Sequence, residues 1–283
     1  MTKDQKPAKG ETAVKGEGAP QGEGAPKAGA TAWAAVPPAK PGAGKRDAKL
    51  RVAAVADLHV HKAHRGEYRA MFAEISERAD VLAMCGDLTN LGLPEEAEHL
   101  AADLEMLTIP AVAVLGNHDH HSGKPEEVRR VLRRANVTFL DEETYVMGDV
   151  GFAGVKGFGG GFGRYMLGPF GEEATKHFVT EALSEALALE NALHTLMMDR
   201  KVVLMHYSPI PDTIEGEAPE VQPFLGCSRF SEILDRFDLS AVFHGHAHNG
   251  VPKGKTPKGN KVYNCSIEVL KRLGGSLYMV VEV

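Results

Sequence analysis

No stretch of the 283-residue chain approaches the roughly 18 consecutive apolar residues that a membrane-spanning helix needs. The N-terminus has no apolar core followed by a small-residue cleavage site, so a secretory signal is not expected. Cysteine is scarce. Cys85, Cys227 and Cys265 stand far apart with no C-x-x-C pair, which argues against a disulfide framework or a thiolate zinc site and for a reducing, cytoplasmic setting. Positive charge is in deficit over most of the chain. Residues 1–46 hold eight Lys/Arg against four Asp/Glu, a balance of +4, while the remaining 24 basic and 34 acidic side chains leave −10. Such a surface repels a long polyanion, so nucleic acid is not an expected partner.

At 43% apolar residues the chain has enough material for one large domain or two small ones. Residues 1–46 are the exception, being rich in Gly, Ala, Pro and Lys, with Gly-Glu-Gly-Ala-Pro at 16–20 and again at 22–26. So little apolar surface cannot offset ordering entropy, and a disordered tail is expected, its partner unknown. Trp33 and Val36 offer at most a small docking spot on it.

From residue 47 onward the pattern is that of a folded domain to residue 283. Strands are expected over 50–56, 81–84, 111–115, 137–140, 144–147, 151–155, 201–205, 241–243, 261–265 and 276–283. Helices are expected over 66–79, 94–107, 125–135, 172–198 and 228–237. Early strand–helix alternation followed by strand-rich segments predicts an α/β (α+β) architecture, two sheets face to face with helices outside.

Five of these strands end in side chains that bind metal. They deliver Asp57 with His59, Asp87, Asn117 with His118, His206, and His246 with His248. Carboxylate, amide and imidazole donors suit hard and borderline divalent cations. In an extended segment i and i+2 share a side, so Asp57/His59 and His246/His248 are each expected to project as a pair. Any one of these histidines alone would be read as a satisfied polar or surface residue; five strand ends together are not.

The series Asp57-Leu-His59, Gly86-Asp-Leu-Thr-Asn90, Gly116-Asn-His-Asp119, a lone His206 after a strand, and Gly245-His-Ala-His248 resembles the calcineurin-like metallophosphoesterase superfamily. The motifs occur in that family's order and span about residues 50–250. The resemblance implies a four-layer αββα sandwich with two mixed β-sheets and two divalent metal ions (Mn, Fe, Zn or Ni) at the strand ends. Carried over, one ion is held by Asp57, His59, Asp87 and His248, and the other by Asp87, Asn117, His206 and His246. Asp87 is then the bridge. Two cations about 3.5–4 Å apart share a hydroxide nucleophile and clamp an in-line phosphoryl displacement. Two aspartates and a hydroxide against two divalent ions leave a site near +1, which attracts phosphate into an acidic domain.

The resemblance also implies that His118 faces the phosphate and protonates the leaving oxygen. Asp119 is expected to orient it, with simple capping of the following segment as the alternative. The implied activity is that of a phosphodiesterase or small-molecule phosphatase with a small phosphorylated substrate. A non-catalytic scaffold of the same fold and a nuclease are the alternatives. Asn90 stands where iron–tyrosinate phosphatases carry tyrosine, and the Asp-Arg-Gly of protein serine/threonine phosphatases is missing. The sequence is more similar to the bacterial phosphodiesterase-type branch.

Several further features are expected to be decoys. His61, His64, His120, His121 and His244 are read as supporting or surface histidines rather than a third metal site. An opening Asp57-Leu-His-Val-His61 also fits amidohydrolase-type barrels, but leaves Gly116-Asn-His-Asp119 unexplained. Gly250-Val-Pro-Lys-Gly-Lys-Thr256 is one residue short of a P-loop. Lys253, Lys255 and Lys258 are read as a solvated loop, with a basic flap as the alternative. The glycine run 157–163 does not match a dinucleotide fingerprint, but could bring backbone N–H groups and Arg164 toward the site.

Overall fold

A computed structural model describes residues 49–141 and 143–283. The expected disordered tail, residues 1–46, and the domain's exact starting residue lie outside the described residues.

The central strands form where short apolar runs are buried on both faces, as at Val81–Cys85, Ala111–Val114 and Val150–Val155. In chain order the elements are β1 (Arg51–Val55), α1 (Arg69–Arg78), β2 (Val81–Cys85), α2 (Pro94–Leu104), β3 (Ala111–Val114), α3 (Asn117–His120), α4 (Pro125–Arg134), β4 (Val137–Phe139), β5 (Tyr145–Met147) and β6 (Val150–Val155). They continue with α5 (Glu173–Thr195), β7 (Arg200–Met205), α6 (Gln222–Leu225), α7 (Ser228–Leu234), β8 (Ala241–His244), β9 (Lys253–Lys255), β10 (Lys261–Asn264), α8 (Ile267–Arg272) and β11 (Met279–Glu282). Pro94 and Pro125 open α2 and α4 in the first turn, where a missing N–H is no loss.

Two mixed sheets result. One has the order β11-β1-β2-β3-β4 and the other β5-β6-β7-β8-β10-β9. In the first, β1 to β4 run parallel and β11 pairs antiparallel with β1. In the second, β6, β7, β8 and β10 are parallel, with β5 and β9 as antiparallel edges.

Side-chain alternation along each strand separates three apolar layers. Val52, Ala54, Val81, Ala83 and Val112 of the first sheet meet Phe152, Val202, Leu204 and Phe243 of the second. The first sheet's outer face, with Ala53, Val55, Leu82 and Met84, packs on α1, α2 and α4 through Phe72, Ile75, Leu100 and Leu132. The second sheet's outer face packs Val203, Met205 and Val242 on α5 and α7 through Leu189, Leu193 and Phe230. These layers are helix, sheet, sheet, helix, as the sequence implied.

Four elements were not expected: α3, α6, α8 and β9. Each is six residues or fewer, too short to display a hydrophobic period. The lysine-rich stretch is an edge strand pairing Lys253 with Tyr263 and Lys255 with Lys261. Because β9 runs antiparallel to β10, Lys253 lies toward the end of the strand nearer the histidines and Lys255 toward the far end. Among the described residues no helix is long and apolar enough to cross a membrane.

Candidate metal centre

All five donor-bearing segments follow the C-terminal ends of parallel strands: β1, β2 and β3 of one sheet, β7 and β8 of the other. Parallel alignment puts these ends on a common rim, the place where open α/β sheets hold ligands.

The local backbone there is unusual. Five described residues other than glycine take a positive φ, and four of them are Asp57 (60°), His59 (45°), Asp87 (50°) and His246 (69°). Left-handed conformations cost energy in L-residues and gather where a side chain must be aimed. For His246/His248 this corrects the expectation of a shared projection by strand alternation, because a tight turn after β8 separates them; Asp57 and His59 do stay together, their backbone N–H groups donating to Gly86 O and Asp87 O of the neighbouring segment. His248 N donates to His246 O within such a turn. The turn sends the two imidazoles into different donor groups, which alternation could not do.

Those groups are Asp57, His59 and His248 on one side, and Asp87, His206 and His246 on the other, the candidate ligand atoms of each lying within 4.8 Å of one another. His59, Asp87 and His118 form a third, overlapping group. Asn117 joins the second through Oδ1, 2.8 Å from His206 Nε2. Asp87 sits between: Oδ1 is 3.3 Å from His206 Nε2 and Oδ2 is 3.8 Å from His59 Nε2.

The main chain fixes which imidazole nitrogen is free. A carbonyl can only accept, so Nδ1 of His206 donates to Cys85 O (3.0 Å) and Nε2 of His246 donates to Phe224 O (3.2 Å). That leaves Nε2 of His206 and Nδ1 of His246 facing the site. Both ring nitrogens of His59 are buried without a hydrogen-bond partner. His248 Nε2 is likewise unpaired, 3.4 Å from Asp57 Oδ1 but without hydrogen-bond geometry. Orphaned imidazole nitrogens beside carboxylates fit a cation as their missing partner.

Electrostatics agree. Burial raises the Asp57 carboxyl, but His248 and His206 outweigh it and hold it below the usual carboxylate range. Burial opposes ionisation of Asp87 too, and His206 and His118 overcome it. Burial likewise disfavours the His206 imidazolium, yet Asp87 and then Asp57 keep it up at about 9. His246 is pushed down to about 3 by burial and by His206, so it is neutral and able to ligate. His59 is lowered, mainly by burial. The two buried carboxylates draw positive charge to this spot, a role a divalent cation fills.

His118 and Asp119 are placed differently from each other. The His118 backbone N donates to Asp87 Oδ1 (2.8 Å), and its ring Nδ1 donates to Asn90 O (2.7 Å). Its Nε2 is then turned toward the opening, 4.0 Å from Asp87 Oδ2. Asp119 does not reach that ring, which corrects its expected orienting role. Its fully buried carboxylate accepts from Leu88 N, Thr89 N, Thr89 Oγ1 and Gly116 N. It therefore caps α3 and ties the Asp87 loop to the Asn117 loop. Burial, and then Asp87, push its carboxyl up to about 6.

Asn90 O, Cys85 O and Phe224 O, which orient the three imidazoles, were missed because main-chain groups leave no mark in residue types. The decoys resolve as follows. His64 is buried against Asp103 (2.6 Å), and His244 against Gly245 O and Thr213 Oγ1. The amides of Gly157, Gly160, Gly161 and Gly163 are spent on Glu185, Pro223, Gly226 and Ser228, so they are not offered to a ligand.

Gly116 shows how tightly the loops approach. A Cβ there would lie 2.1 Å from Asp87 Oδ1 and 2.3 Å from Asp87 N. Gly116→Ala is expected to cost about 1–3 kcal/mol of stability through forced backbone movement. It should also weaken metal binding, checked by urea denaturation beside a metal titration; unchanged stability and affinity would show that Asp87 has slack.

A family model described as calcineurin-like phosphoesterase matches residues 50–250. The chain is 33% identical over 106 residues to a protein from Synechococcus sp. described as a probable cyclic nucleotide phosphodiesterase. That match covers 34% of this chain and 39% of the relative's length. The fold is also similar to that of a phosphopantetheinyl hydrolase from Mycobacterium tuberculosis, with a TM-score of 0.61, 14% identity, and coverage of 82% of this chain and 96% of that one. The sandwich, the order of the motifs along its rim and the match across most of its length agree: this chain belongs to the calcineurin-like phosphoesterase family.

Proposed function

We propose that the protein is a phosphoester hydrolase with a dinuclear metal centre, acting on small phosphodiesters. The observation that carries this reading is the place of Asp87, which shares one donor group with His206 and His246 and another with His59, itself grouped with Asp57 and His248. The Synechococcus relative, described as a probable cyclic nucleotide phosphodiesterase, supports the diester class.

Asp57, His59, Asp87 and His248 would hold one ion, and Asp87, Asn117, His206 and His246 the other. When bound, the divalent cations (Mn, Fe, Zn or Ni) supply Lewis acidity toward phosphoryl oxygens and make water a competent nucleophile near neutral pH. Asp87 is suited to a shared position because its two oxygens face different donor groups. Asn90 O holds the His118 ring by Nδ1, so a proton carried on Nε2 points toward the leaving oxygen. Asp119 acts through structure, keeping the Asp87 and Asn117 loops in register.

Purified protein stripped with a chelator should lose hydrolysis of bis(p-nitrophenyl) phosphate and regain it on adding Mn²⁺. Full activity after verified metal removal would sink the metal-dependent reading. No hydrolysis of any phosphoester by metal-loaded protein would favour a binding module instead.

A further inference from the structure

Phe224 is 59% exposed, yet it is firmly held. Its N–H donates to Val221 O, and the neighbouring Pro223 O accepts from Gly160 N at 2.7 Å. Beneath it Gly159 is packed so closely that a Cβ would fall 3.2 Å from Phe224 Cα and 2.8 Å from Pro223 O. Its ring meets Phe178 edge-on, with centroids 6.2 Å apart. Phe178 rests on Phe158 (4.8 Å), Phe158 on Tyr207 (5.8 Å), and Tyr207 on the imidazole of His246 (4.4 Å). The circuit closes through the main chain, since Phe224 O lies 3.2 Å from His246 Nε2.

Phe224 thus presents an exposed phenyl ring on an aromatic footing while its own carbonyl lies against a candidate metal ligand, and an aromatic face so placed can stack on a planar group. Phe162 adds a second ring nearby. It is half-buried and packs on Ile214, Leu225 and Ala247, the residue between His246 and His248. We propose that Phe224, flanked by Phe162, is the stacking platform for a planar aromatic group, nucleobase-like in size, carried by the phosphoester substrate. This rests on the hydrolase reading above and adds the substrate class. Stacking tolerates any base because every base has a π-face. The −10 balance of residues 47–283 disfavours a polynucleotide, so the group belongs to a single nucleotide-sized ester rather than a strand.

The test uses AMP and ribose 5-phosphate as competitors against bis(p-nitrophenyl) phosphate with Mn²⁺-loaded enzyme, since the second carries an anomeric hydroxyl where the first carries the base. AMP should inhibit about 5- to 100-fold more tightly. Phe224→Ala should bring the two within twofold through loss of AMP affinity. Phe224→Tyr should restore the difference. Equal inhibition by both in the parent enzyme overturns the platform, as does an AMP advantage that survives Phe224→Ala. Decyl phosphate binding as tightly as AMP, and losing that in Phe224→Ala, would show a general apolar patch and overturn the planar class. If the enzyme hydrolyses nothing, the hydrolase reading fails by itself; calorimetry of AMP against ribose 5-phosphate on Mn²⁺-loaded protein then decides the platform separately.

Discussion

Asp87→Asn is expected to reduce metal content at saturation from two ions per chain to one at most, and to lower phosphodiester turnover by more than about 100-fold. Removing a group that merely supports a ligand costs roughly 10–100-fold, and Asp87 is proposed to serve both ions. The amide keeps the shape and can still accept from His118 N, now 2.8 Å from Asp87 Oδ1. What it loses is charge. Asp87 is the first carboxylate holding the His206 imidazole up at about 9, and its oxygens face His206 at 3.3 Å and His59 at 3.8 Å. An amide oxygen cannot balance two divalent cations, so one donor group is left with imidazoles and an amide alone. Elemental analysis of the loaded variant, run beside the turnover assay, reads both effects. Two ions and a normal rate in Asp87→Asn would contradict the shared position.

His118→Ala should behave in the opposite way, keeping both ions while kcat falls about 10²–10⁴-fold, the range for loss of a general acid. Metal retention is expected because the contact from residue 118 to Asp87 is made by the backbone N, which alanine preserves. The ring itself is partly exposed and stands near-perpendicular to that of His59, with centroids 4.4 Å apart. The defect should shrink for esters with good leaving groups such as p-nitrophenolate, which need little protonation, and grow for alkyl esters. A variant that loses metal, or one with equal defects on both ester types, would remove the proton-donor role.

The donors of this site were legible because a carboxylate or imidazole directly after an apolar run is a side-chain signal. The two sheets were legible for a similar reason: Val81–Cys85, buried at every position, reads as a strand without any period. What could not be read was how the donors are aimed. Strand alternation predicts that His246 and His248 share a side, whereas the positive φ of His246 starts a turn that sends them to different groups. The role of Asp119 was misjudged for a related reason. Adjacency to His118 suggested a partnership, but a one-turn helix carries its carboxylate back to Gly116 N and across to Thr89. The orienting of His118 falls instead to Asn90 O, a group every residue type possesses. Short elements such as α8, with Ile267, Val269 and Leu270 buried in fewer than two turns, give too little pattern to be found.

The most direct measurement is anomalous diffraction from crystals of Mn²⁺-loaded protein. Two peaks about 3.5–4 Å apart, with the Asp87 carboxylate touching both, are what this arrangement of donors predicts. A single peak, or a pair of which neither lies against Asp87, would contradict it.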